Sequence, residues 1–183
     1  MKRVLLLLVL MSNLSFGQSI SSPSYENWKY DDGLIWQKVY QTTLPIDEFF
    51  STFLMHIVST YKTGTQDYHR AEDRLTFNVY GDNVDFKSMG GSRGSTALFV
   101  QYPMNYLVVV DVKEGRYRVT VKNIQNDLSR ENLGLTELDE VVMKKKNTQF
   151  SKSLITVKGM GYINQHFSGK FDLSSIKEDN DDW

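Results

Sequence analysis

The stretch from Met104 to Ile124 constrains this chain more tightly than any other. Two β-rich runs, Met104–Lys113 and Arg116–Ile124, are separated only by Glu114-Gly115. That is the length of a two-residue hairpin loop, in which glycine supplies the positive φ. So short a turn leaves the register no freedom: Lys113 must face Arg116, Val112 must face Tyr117, Asp111 must face Arg118, and Val110 and Val108 must face Val119 and Val121. Alternate residues of a strand point to opposite sides, so the valines and Tyr117 make one apolar face. Asp111, Arg116, Arg118, Thr120 and Lys122 make the other. The first face has to be covered, and the second has to meet water or a partner.

The cover is also legible. Pro45 suits the first turn of a helix, where its missing N–H is not needed, and Asp47 and Glu48 face the positive end of the helix dipole. Ile46, Phe49, Phe50, Phe53, Leu54, Ile57 and Tyr61 recur at spacings of three and four, so one side of a helix over 46–62 is almost wholly apolar. A second stripe runs from Phe150 through Leu154, Ile163 and Phe167 to Phe171. Within it Gly159 and Gly161 each weaken a helix by about 1 kcal/mol relative to alanine, which makes a break there an expectation to test.

Strands are expected at Leu34–Gln41 and Leu75–Tyr80, the latter closed by a Gly81-Asp82-Asn83 turn. Thr96–Tyr102 reads as a further β run stopped by Pro103, and Thr136–Glu140 as the start of a helix. The resulting order, β-α-β-β-β-β-α, predicts an α+β fold: a curved antiparallel sheet with both long helices on one face.

Around that domain, expected over 34–171, the chain carries other signals. Met1-Lys2-Arg3, the apolar run Val4–Met11 and the small residues Ser15 and Gly17 have the three parts of a secretory signal peptide over 1–17, with cleavage before Gln18. Eight apolar residues are far too few to span a membrane, which takes roughly 20. Residues 18–33 read as a flexible lead-in tethered by Tyr25, Trp28 and Tyr30, and 172–183 as an acidic tail. The chain has no cysteine, so packing alone must stabilise it. Its 21 basic and 22 acidic side chains give no overall field to hold a polyanion, which argues against nucleic-acid binding.

The signal ending Phe16-Gly17-Gln18, the opening from Ile35-Trp36-Gln37 through Phe53, and the hairpin core Lys113-Glu114-Gly115-Arg116-Tyr117-Arg118 together carry a resemblance. Over about residues 34–171 the chain resembles a bacterial family of exported domains of unknown function with a TATA-binding-protein-like (TBP-like) fold. The resemblance implies a curved antiparallel sheet backed by two helices. It implies no DNA binding, since fold and function separate readily, and it brings no catalytic residues with it.

No catalytic, cofactor or metal motif is assembled by spacing. His56, His69 and His166 have no i, i+4 pairing and are expected to be solvent-facing or locally hydrogen-bonded. Gly90, Gly91 and Gly94 around Arg93 lack the lysine and following helix of a phosphate loop. The expectation is therefore a non-catalytic exported binding or structural module of the periplasm or envelope, with no cofactor. It would meet a protein, peptide or glycan through Asp111, Arg116, Arg118, Lys122 and Arg93. The rival expectation is an envelope hydrolase or metal-dependent enzyme built on His69 and nearby carboxylates.

Overall fold

The structure, a computed structural model, describes residues 25–60, 65–132, 134–144 and 149–175. The expected signal peptide over 1–17 and the acidic run 178–182 lie outside these residues.

A seven-stranded antiparallel sheet is built from β1 (Trp28–Tyr30), β2 (Leu34–Gln41), β3 (Thr65–Ala71), β4 (Arg74–Asp82), β5 (Met104–Lys113), β6 (Arg116–Leu128) and β7 (Gly134–Glu137). Its order is β1-β2-β6-β5-β4-β3, with β7 on β6 beyond the end of β2. The β5–β6 hairpin has the register set by its two-residue turn, from Lys113 opposite Arg116 to Val108 opposite Val121. Gly115 sits at φ 76°, a conformation that a side-chain-bearing residue would adopt only under strain.

Two long helices cover one face of this sheet: α1 (Ile46–Thr60) and α4 (Leu154–Lys170). Between them in the chain come the short α2 (Leu98–Gln101) and α3 (Leu138–Val142). Phe49 and Phe53 of α1 pack their rings on Tyr117 of β6, with centroids 4.8 and 5.9 Å away. Phe167 of α4 meets Trp36 of β2 and Tyr106 of β5 edge-on at 5.4 and 5.0 Å. The Tyr117 hydroxyl donates to the Phe171 carbonyl at 2.7 Å and accepts from the Leu173 amide at 3.0 Å. Burial pushes its pKa up, so it stays a neutral hydroxyl able to play both roles.

The expected α+β arrangement is the one found, with differences of detail that have physical causes. Thr96–Tyr102 is no strand: it holds a turn and α2, and buries the adjacent Phe99 and Val100. Two consecutive buried residues suit a helical turn, and a short apolar run does not announce which it will be. The helix start expected at Thr136 is strand β7 up to Glu137, because β6 residues 125–128 run past the end of β2 and need a partner for their backbone groups. β3 gave no periodic signal because its residues 67–71 are all exposed, as suits a polar edge strand. The lead-in expected over 18–33 contains β1, pinned where Tyr25 stacks on Phe150 and Trp28 lies 6.2 Å from Phe167.

The α4 helix runs unbroken through Gly159 and Gly161. A Cβ on Gly159 would sit 2.8 Å from the Phe99 ring and 3.1 Å from the Ala97 Cβ. This glycine lets α2 and α4 approach closely and does not break the helix.

Gly159→Val should cost about 1–3 kcal/mol in denaturant melts through overpacking against Phe99. Phe53, wholly buried, should cost about 3–5 kcal/mol as Phe53→Ala in the same assay.

Candidate functional site

Two β-bulges decide which side chains reach which face. Along β4, Leu75, Phe77 and Val79 point into the core, so strict alternation would send Asp82 outward. Instead the register slips between Val79 and Asp82, with Gly81 at φ 69° and its amide held by Asn105 Oδ1 at 2.9 Å. The parity reverses and Asp82 turns inward, 3% exposed. Along β6 the same happens at Asn123, which takes φ 55°: buried positions change from 117, 119 and 121 to 124, 126 and 128.

The inward Asp82 gathers three donors from two separate elements, α4 and β5. His166 Nε2 of α4 lies 2.7 Å from Asp82 Oδ2, the Tyr106 hydroxyl of β5 donates to the same oxygen at 2.5 Å, and the Lys170 ammonium donates to Oδ1. Burial by itself pushes this carboxyl up, but the hydrogen bond and charge of His166, with those of Lys170, outweigh it and hold the pKa below its ordinary value. Asp, His and Tyr within hydrogen-bond reach resemble catalytic machinery, yet His166 is itself buried and no described cavity opens onto Asp82. The cluster joins α4 to the sheet.

The histidines thus depart from expectation in two cases. His166 bonds a residue 84 positions away, and His56 Nε2 meets the Lys170 carbonyl at 2.8 Å, also across the fold. His69 is exposed on β3, opposite Thr76. Among the described residues no group of three or more histidine, aspartate or glutamate side chains is placed to hold a metal.

The opposite face of the sheet is the accessible one. None of its outward residues on β2, β4, β5 and the first half of β6 is buried. Asp111 of β5 lies between two arginines: Arg74 of β4 reaches Oδ1 at 2.6 Å, and Arg118 of β6 reaches Oδ2 at 2.7 Å. Burial raises the Asp111 pKa, but the hydrogen bonds from Arg118 and Arg74 outweigh it and hold the carboxylate ionised below its usual range. Beside this triad lies a hollow of about 260 Å³ lined by Val39, Asp111, Lys113, Arg116, Tyr117 and Arg118.

Of the residues singled out in the sequence, the structure brings Asp111, Arg116 and Arg118 to this one hollow. Lys122 shares their face two pairs further along, opposite Leu107. Arg93 is separated from them and lines another hollow with Asn83, Asp85 and Lys87. In its loop the amides of Gly90, Gly91 and Ser95 are used internally, on the carbonyls of Lys87, Phe86 and Ser92. Sequence reasoning missed Arg74, Lys113 and Val39. Lys113 could have been found, since it shares the parity of Asp111; Arg74 and Val39 needed the strand order.

No family model matches the chain, and no curated protein does. A solved DUF4468 family protein from Bacteroides ovatus is similar to it, with a TM-score of 0.50 and 13% identity over 78% of this chain and 88% of that one. A solved TBP-like protein from Parabacteroides distasonis gives a TM-score of 0.48 and 9% identity over 78% and 93%. At 13% identity the likeness to the first is one of fold, and domains of unknown function carry no activity across.

Asp82→Ala should cost about 3–5 kcal/mol at pH 7, because it leaves the buried His166 and the partly buried Lys170 without their carboxylate. The folded pKa of Asp82 is lowered, so its contribution is present above the unfolded pKa and fades as pH falls through the folded one. Denaturant melts should therefore show the gap between wild type and variant shrinking below about pH 4.

Proposed function

We propose that this protein is an exported, non-catalytic binding module of the periplasm or cell envelope, and that the sheet face opposite α1 and α4 takes an acidic partner. The observation that carries the reading is the segregation of charge. The chain as a whole is nearly neutral, with a formal charge of −1. Around the hollow, however, Arg74, Lys113, Arg116 and Arg118 outnumber the carboxylates of Asp111, of Asp73 beside Arg74 and of Glu114 in the turn. Such a local field draws a partner of opposite sign and orients it on approach. The n-region, apolar run and small residues of 1–17 support export.

Site-specific crosslinking in the native host tests this. A photo-reactive residue in place of Val39, which is 51% exposed on the open face, should trap a partner. The trapping should be lost when Lys113→Glu and Arg116→Glu are added. The same residue in place of Met55, 74% exposed on α1, should trap none. Equal trapping at both positions, or trapping indifferent to the charge reversals, rejects the open face as the binding surface. Intact mass of the host-derived protein should correspond to a chain beginning at or near Gln18; retention of residues 1–17 rejects export.

A further inference from the structure

We infer that the hollow at the β5–β6 hairpin is a subsite for a side-chain carboxylate of an extended acidic polypeptide, held by Lys113 and Arg116 with Val39 as its apolar wall. The inference rests on the open face being the binding surface, and it specifies what binds there and where. Lys113 and Arg116 stand directly opposite each other across the ladder, and like charges so placed repel. Among the described residues neither makes an ion pair. Asp111, the carboxylate that lines the hollow with them, is already engaged, one oxygen by Arg74 and the other by Arg118. The triad itself carries one net positive charge, and with Lys113 and Arg116 the cations around the hollow still outnumber the carboxylates when Glu114 of the turn and Asp73, beside Arg74, are counted. An incoming carboxylate would remove this repulsion.

An open hollow of about 260 Å³ has room for one acidic side chain of a longer partner. Its aromatic member, Tyr117, is 1% exposed and offers no ring face on which a sugar could stack, whereas Val39 is half exposed and aliphatic. A planar carboxylate also matches the forked donors of an arginine. An extended polypeptide with an acidic and an apolar residue two positions apart presents both on one face and provides both contacts.

The test uses the mature chain and a synthetic twelve-residue peptide repeating aspartate-serine-valine-serine, compared with the same peptide carrying asparagine for aspartate, in titration calorimetry and amide-shift mapping. The acidic peptide should bind saturably, with shifts centred on Val39, Lys113 and Arg116, and weaken as salt rises. Lys113→Gln with Arg116→Gln should weaken it about tenfold without lowering the melting temperature, since the change removes a repulsion. Lys87→Gln with Arg93→Gln, at the other hollow, should leave affinity unchanged.

Equal binding of the asparagine peptide, undiminished binding by the Lys113/Arg116 variant, or shifts elsewhere would overturn the subsite. Sodium sulfate saturating the same residues at the same concentration would overturn the assignment to a polypeptide carboxylate. If the acidic peptide does not bind while Val39 crosslinking still traps a partner in a charge-dependent way, the subsite fails and the binding face stands. If both fail, both readings fall.

Discussion

The carboxylate of Asp82 is the charged group on which the packing of helix against sheet depends. It draws on β5 through Tyr106 and on two turns of α4 through His166 and Lys170, while sitting at the end of β4. A buried carboxylate without partners would be expensive, and one with three donors is a constraint on geometry more than a source of stability. Apolar contacts such as Phe167 on Trp36 would tolerate small shifts of α4 along the sheet. Hydrogen bonds to a fixed carboxylate do not. The cluster therefore sets where α4 lies, and with α4 the positions of Gly159 against Phe99 and of Phe171 over Tyr117.

That arrangement exists because the two strands beside β5 each change parity on the core face. The bulges at Gly81 and Asn123 lie on the two strands that flank β5, and each lets a strand present one set of residues to the core in one half and the alternate set in the other. Without the first, Asp82 would face solvent. Without the second, Ile124, Asn126 and Leu128 would turn outward, and the cover made by α2 and α3 would have nothing to pack on. Before the bulges lies the regular part of the sheet, and that is where the open face carries its cations.

The two faces differ in how their charges are resolved. Under the helices, Asp82 is compensated by protein groups and closed to solvent. On the open side, Asp111 is compensated but Lys113 and Arg116 are left opposing each other. A stability argument explains the first and gives no reason for the second, because the exposed like-charge pair is mildly unfavourable in the isolated protein. Under the proposed binding role, that pair is where an acidic partner would be met.

The sequence by itself determined the elements whose information is local. The Glu114-Gly115 turn set the register from Lys113–Arg116 to Val108–Val121, since so short a loop admits one pairing. The phenylalanine stripe of α1 declared its buried side because helical periodicity is a property of neighbours along the chain. Tertiary structure alone decided what depended on distant partners. The polar strand β3 exists because β4 had an edge to pair, and β7 because β6 outran β2. Gly159 proved a contact surface and not a breaker because Phe99, sixty residues earlier, lies against it. Arg74 and Val39 joined the hollow through strand order, which no spacing along the chain encodes. Most of all, Asp82 and His166 read locally as a turn residue and a lone histidine; their pairing needed a bulge to reverse parity and a helix to return 84 residues later. Short-range patterns follow from sterics and alternation among neighbours, whereas a buried polar cluster is specified only when the whole fold brings its members together.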